Sequence, residues 1–191
     1  GSVIPGMIGM EAGQSAFGDV YSWYKNLLAW SLSILTEEPE QEPEHIRKLK
    51  VETESRILKQ LNLEAAKFQI GETGLVALDW FNGRRTPYAD PRLKGAVIGL
   101  TLGTTAPAIF RALVEATAFG SKAIIDRFLE EGIAIEEVIA VGGIAQKSEL
   151  VMQITADVLG IPIKTCRSEQ SCALGAAMCG AVAAGIYDTI Q

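Results

Sequence analysis

Residues 138–145 read Val138-Ile139-Ala140-Val141-Gly142-Gly143-Ile144-Ala145: an apolar run, a pair of glycines, and then the opening of a helical pattern. A continuous apolar run ended by glycine suits a buried strand. Paired glycines at its end let a ligand approach the backbone, and the helix start beyond them offers free N–H groups to an anion or a nucleotide. The stretch is neither a GxGxxG fingerprint nor a P-loop, so a tight strand-to-helix turn that needs glycine for conformation alone is an equal reading. Outward from it the pattern alternates. A helix is predicted over 148–159, a strand over 161–164 and a helix of small residues over 171–185; upstream, strands are predicted over 75–80 and 97–100 and a long helix over 107–131. That order of strands and helices, with long crossovers, predicts an α/β class and a sheet flanked by helices.

The first seventy residues have a different texture. Two short apolar runs around Pro5-Gly6 predict an N-terminal hairpin within residues 1–14, completing the sheet. Ser15 is a candidate N-cap for a helix carrying Phe17, Val20, Tyr21, Tyr24, Leu27, Leu28 and Leu32. A Glu- and Pro-rich stretch over 37–44 reads as a solvated linker, and 45–68 as a long charged helix. Residues 15–70 are therefore expected to form a helical insert or cap, and 71–191 the α/β core. The aromatic set Tyr21, Trp23, Tyr24 and Trp30 suits either core packing, the commoner case, or an interface.

Composition narrows the function. With 17 Lys plus Arg against 23 Asp plus Glu, the formal charge of −6 leaves no basic stripe for nucleic acid. The three cysteines, Cys166, Cys172 and Cys179, have neither disulfide arithmetic nor metal-ligand spacing. On these grounds no metal site is expected in the chain, and the apolar stretches are too short for a membrane span, which predicts a cytoplasmic protein. With His45 the single histidine, no Ser-His-Asp or Cys-His set can be assembled. Among the carboxylates, Asp79 and Asp90 stand near turns, whereas Asp126 and Asp157 fall inside helical patterns and suit surface roles. Cys172 and Cys179 share a helical face with Ala173, Ala176, Ala177, Gly180 and Ala184, which predicts close packing of that helix on the sheet.

Two further segments offer donor chemistry. Asn82-Gly83-Arg84-Arg85-Thr86-Pro87-Tyr88-Ala89-Asp90-Pro91 is a turn-rich loop whose arginines are either solvated or aimed at a phosphate or a second lobe. Leu102-Gly103-Thr104-Thr105-Ala106-Pro107 sets a glycine and two hydroxyls before a helix. Three glycine-bearing strand-to-helix junctions point to a single ligand edge, because open α/β sheets bind at the carboxyl ends of their strands.

The segment from Pro5 to Asp19, the loop Asp79-Trp80-Phe81-Asn82-Gly83-Arg84-Arg85-Thr86-Pro87, the run Asp90 to Gly95, the Gly142-Gly143 turn and Ala173-Leu174-Gly175-Ala176-Ala177 together resemble the C-terminal, ATP-binding lobe of the FGGY carbohydrate kinases. The resemblance implies an actin-like, ribonuclease H-like lobe with a mixed sheet flanked by helices. It implies ATP with Mg²⁺ in a cleft between two lobes, and phosphoryl transfer to a ketopentose, ribulose first, with xylulose, glycerol or gluconate as alternatives. By the same resemblance Gly142, Gly143 and Ala145 line the adenosine, Lys147 and Ser148 sit near the base or ribose, and Gly103 stands close to the phosphates or ribose. The general base and most of the sugar site are implied to lie in an N-terminal lobe, so no catalytic residue is expected here. The family also leaves open a homo-oligomer. A non-catalytic folded fragment or interaction module is the other reading.

Overall fold

The computed structural model describes residues 8–36, 42–168 and 170–190. Six helices and four short strands follow in the order α1 (Gly18–Ala29), α2 (Glu44–Ala65), β1 (Val76–Leu78), β2 (Ala96–Ile98), α3 (Ala106–Glu130), β3 (Val138–Ala140), α4 (Gly143–Lys147), α5 (Glu149–Leu159), β4 (Ile163–Thr165) and α6 (Ser171–Ala183). A 3-10 stretch, Trp30–Leu35, prolongs α1.

Helix α3 is the axis of the fold. Pro107 in its first turn lacks only an N–H that would be orphaned there anyway. Phe110, Leu113, Val114 and Thr117 repeat at three- and four-residue spacing, and each is almost fully buried. The helix stops at Gly132, whose φ of 79° is open to glycine at little cost. There the Gly132 N–H bonds the Leu129 carbonyl at 3.0 Å and the Ile133 N–H bonds the Phe128 carbonyl at 2.9 Å, the reciprocal pair of a Schellman end. Around this axis pack α1, α2, α5 and β1. Val20, Tyr21 and Tyr24 of α1, Leu61 and Ala65 of α2, and Val151 and Ile154 of α5 join α3 in one buried cluster. On α5 the buried positions Val151, Ile154, Thr155 and Leu159 again mark one helical stripe.

The strands form two separate pairs among the described residues. β1 and β2 are antiparallel with Ala77 opposite Val97, and β3 and β4 are parallel with Ile139 opposite Lys164. The β3–α4–α5–β4 run is the crossover unit that the alternating pattern anticipates. The mixed sheet thus takes the form of two narrow ribbons beside a helical core.

Several expectations change. Ser15 does not cap α1: the helix begins at Gly18, and Phe17 occupies the cap position without a side-chain bond. The expected hairpin falls largely on residues 1–7, outside the described residues, and 8–14 contain no strand. The expected close packing of the last helix is not found, since no residue of α6 is buried and Cys172 and Cys179 are exposed. Small apolar residues surround α6 on every side, so no stripe directs it inward, and its neighbour β4 presents Lys164 and Thr165 to solvent. The aromatic cluster divides, with Tyr21 and Tyr24 buried while Trp23 and Trp30 are 43% and 69% exposed. Asp126 pairs with Lys122, and Asp157 accepts from Gln153 at 2.7 Å, both one helical turn apart.

Candidate functional site

At the end of β3 the backbone turns through Gly142, with φ at 92°, directly into α4. A Cβ on Gly142 or on Gly143 would meet no heavy atom within 4 Å. Gly142 is therefore required by its dihedral, whereas nothing inside the protein demands that Gly143 lack a side chain. Open space over Gly143 is what close approach of a ligand to the backbone needs. Gly18, at the start of α1, lies against this turn: a Cβ there would stand 2.5 Å from Ile144 Cδ1.

Beyond the turn Ser148 caps α5, its Oγ accepting from the Val151 N–H at 3.2 Å. The same hydroxyl donates to Asn62 Oδ1 of α2, which ties the 44–65 helix to the glycine turn. Between α2, α3 and α4–α5 lies a cavity of about 1090 Å³, with Gly143, Lys147 and Ser148 on one wall and Asn62, Tyr21 and Arg111 facing them. Leu58, Phe110, Leu150 and Ile154 supply its apolar surface. On the other side of the turn Gly142, Gly143 and Ala145 line a second cavity of about 470 Å³, and Ala145 is buried. Gly143 is common to both. The structure thus gathers Gly142, Gly143, Ala145, Lys147 and Ser148 around one turn, with cavities on its two sides.

Gly103 is not brought to this place. It sits in an exposed turn closed on itself, its N–H directed at Thr101 Oγ1 at 3.3 Å while the Thr101 N–H bonds Thr104 Oγ1 at 2.9 Å, and it lines neither cavity. The arginines of the 82–91 loop are engaged within the lobe. Arg84 lies over the Trp80 ring at 5.2 Å and donates to the Tyr88 carbonyl at 3.0 Å, and Arg85 pairs with Glu11 at 3.3 Å.

A partly buried polar chain runs from the larger cavity to this loop. The Tyr21 hydroxyl meets Thr117 Oγ1 at 2.6 Å. Gln14 Nε2 donates to the Thr117 carbonyl at 3.0 Å and to Asp79 Oδ2 at 2.5 Å, and Ser121 donates to Gln14 Oε1 at 3.0 Å. Burial pushes the Tyr21 phenol far above its ordinary value and raises Tyr24 to about 12. Burial also raises the Asp79 carboxyl, partly offset by the Gln14 bond. Among the described residues no three His, Cys, Asp or Glu side chains converge as a metal site. None of their helices is long and apolar enough to cross a membrane.

Asn62, Tyr21 and Arg111 escape a sequence reading centred on glycine. Arg111 does leave a signal: it is a charged residue inside the apolar stripe of α3 with Glu115 one turn on.

The family model for the C-terminal domain of the FGGY carbohydrate kinases matches residues 1–184, and the chain belongs to that family. Within it the chain is similar to ribulokinases. It is 52% identical to the one from Vibrio parahaemolyticus over 191 residues, all of this chain and 33% of that protein. It is 45% identical to the one from Anoxybacillus flavithermus over 183 residues, 96% of this chain and 30% of that protein. The chain therefore spans about a third of the length of the curated relatives it matches. In fold it matches a xyloylose kinase from Brucella ovis with a TM-score of 0.69 at 21% identity, over 93% of this chain and 32% of that one. A Plasmodium falciparum glycerol kinase solved with ADP gives 0.64 at 21% identity, over 91% of this chain and 29% of that one. The fold is thus the α/β, actin-like fold of these kinases.

Proposed function

We propose that the chain is the nucleotide-binding lobe of an ATP-dependent sugar kinase whose acceptor is a ketopentose, ribulose first. The similarity to ribulokinases over the whole chain supports the substrate. The observation that carries the nucleotide reading is the open face of Gly143, at a turn that borders a cavity large enough for a nucleotide. That a structural neighbour was solved with ADP points the same way.

In the reaction the sugar hydroxyl oxygen bonds to the γ-phosphorus, the bridging bond to the β-phosphate breaks, and the hydroxyl proton passes to a base outside this chain. Such transfer rests on positioning and charge stabilisation. This lobe contributes positioning: the cavity's apolar wall of Leu58, Phe110, Leu150 and Ile154 excludes water around a base, and Ser148 and Asn62 present polar atoms at its rim. Gly143 leaves the backbone of the turn open for adenosine on the side where Lys147 and Ser148 stand beside the base or ribose, while Gly142 and Ala145 border the smaller cavity and shape the turn from its other side. Mg²⁺ would travel on the phosphates; no carboxylate set among the described residues fits it, so no step is assigned to it. We also propose a cytoplasmic protein; light scattering of the two-lobe protein reads whether it forms a homo-oligomer.

Titration calorimetry of the chain with ADP is the test. Weak binding without kinase turnover is expected, and absence of ADP binding refutes the reading. A panel of ribulose, xylulose, glycerol and gluconate, offered to the two-lobe protein, decides the acceptor.

A further inference from the structure

Arg111 stands on α3 with its side chain only 9% exposed, and it lines the cavity that Gly143, Lys147 and Ser148 border. A guanidinium carries five N–H donors. One of them, on Nε, is used by Glu115 Oε1 at 2.6 Å, and among the described residues neither Nη1 nor Nη2 has a protein acceptor. No described side-chain N or O atom is both buried and unpaired, so these Nη donors reach solvent at the cavity that Arg111 lines, where an acceptor on a ligand can take the place of water. The charge argues about which acceptor. Glu115 already balances the guanidinium, so the pair presents directed donors with little net charge, which suits a neutral acceptor better than a phosphate. Phe110, Leu150 and Ile154 on the adjoining walls suit a flat aromatic ring. Adenine offers neutral acceptors at its ring nitrogens and a donor at its exocyclic amine, and the guanidinium can meet only the former.

We infer that Arg111 is a base-recognition residue, held by Glu115 so that its free Nη groups donate to a ring nitrogen of the purine. The inference rests on the nucleotide reading of this cavity. It gives α3 a role in choosing the nucleotide, beyond that of a core helix.

The test uses the full chain and ADP analogues in which N1, N3 or N7 is replaced by C–H, with affinity read by calorimetry. One of the three is expected to bind wild type at least tenfold more weakly than ADP. Arg111→Met should lose at least tenfold toward ADP and less than twofold toward that one analogue, and Arg111→Lys should recover part of the loss. A merely structural arginine would weaken all four ligands alike. If all three analogues bind wild type within twofold of ADP, the inference is overturned while the nucleotide reading stands. If wild type binds no ADP, both fall. Where Arg111→Met does not fold, which circular dichroism would reveal, Arg111→Lys carries the same comparison: a loss toward ADP with less than a twofold change toward that one analogue supports the inference, and an equal loss toward all four ligands overturns it.

Discussion

Gly120→Ala sets two effects of opposite sign against each other. Gly120 lies in the interior of α3, where alanine favours the helix by about 1 kcal/mol over glycine. Propensity alone therefore predicts a gain. In the fold, however, the new Cβ would stand 2.3 Å from Asp79 Oδ2 and 2.4 Å from Gln14 Nε2. Both atoms are committed, since the Gln14 amide joins Asp79 at 2.5 Å and the Thr117 carbonyl at 3.0 Å. To make room, one partner must withdraw by roughly an ångström, breaking a bond in a buried site. Overpacking costs about 1–3 kcal/mol and an unsatisfied buried group about 1–3 kcal/mol more. Net of the helix gain, Gly120→Ala should lose about 1–5 kcal/mol, which for a chain of this size lowers the melting temperature by about 2–20 °C. Gly180→Ala on α6 is the control, because its Cβ would meet nothing within 4 Å and only the propensity gain of about 1 kcal/mol remains. Urea and thermal unfolding of the two variants read the difference. A Gly120→Ala protein as stable as wild type would show that Gln14 and Asp79 do not lock the first segment onto α3.

Gly142→Ala, placed at φ 92° and ψ 178° with open space around it, a backbone region essentially restricted to glycine, should cost about 1–3 kcal/mol through conformation alone, read as a lower urea midpoint. Asn62→Ala removes the acceptor of the Ser148 hydroxyl and should lower stability by about 1 kcal/mol, a melting shift of about 2–4 °C by scanning calorimetry. Asp79 has its carboxyl raised by burial, so the native state binds a proton more tightly than the unfolded chain, and stability falls as pH rises from near 3.8 through the raised native value. Asp79→Asn keeps an acceptor for Gln14 and should abolish that descending limb, which denaturant titrations across pH would detect; an unchanged profile would assign the slope to other groups.

How far the sequence reveals the fold depends on whether a residue's surroundings are local. The strand runs near 76–78, 97 and 138–140 and the helices near 107–131 and 149–159 are legible because apolar spacing and the Gly, Pro and Ser signals at their ends act within a few residues. Ser148 is the clearest case: it caps α5 as a serine before an apolar run should. Ser15 carries the same local signal and does not cap: α1 begins three residues later, at Gly18, where the absence of a Cβ lets the helix approach Ile144. Helix α6 fails for a different reason, since its composition is apolar on all sides and composition alone does not say what it rests on. Gly103 and Gly143 illustrate the same limit at the site. Both are glycines near the start of a helix, yet one closes a turn on its neighbouring threonine and the other opens on a cavity.

The polar contacts that define the site are the part that local pattern cannot reach. Gln14 meets Asp79 across 65 positions, Asn62 meets Ser148 across 86 and Tyr21 meets Thr117 across 96. Each of these side chains, taken alone, reads as an ordinary surface or helix-face residue. Each acquires meaning only because α3 carries Thr117 and Ser121 on the flank that receives Gln14, and because Asn62 of α2 meets Ser148 at the start of α5. Once buried, such groups must be paired, so each commits two distant segments to one arrangement. Phe110 and Leu113 can trade packing partners at modest cost, whereas Gln14 and Asn62 cannot trade theirs without leaving a donor or an acceptor stranded. The apolar stripes therefore decide that these helices come together, and the long-range polar pairs decide where along one another they stop. One of those pairs, Asn62 with Ser148, stands in the lining of the cavity beside Gly143, so the bond that sets α2 against α5 also shapes the candidate site.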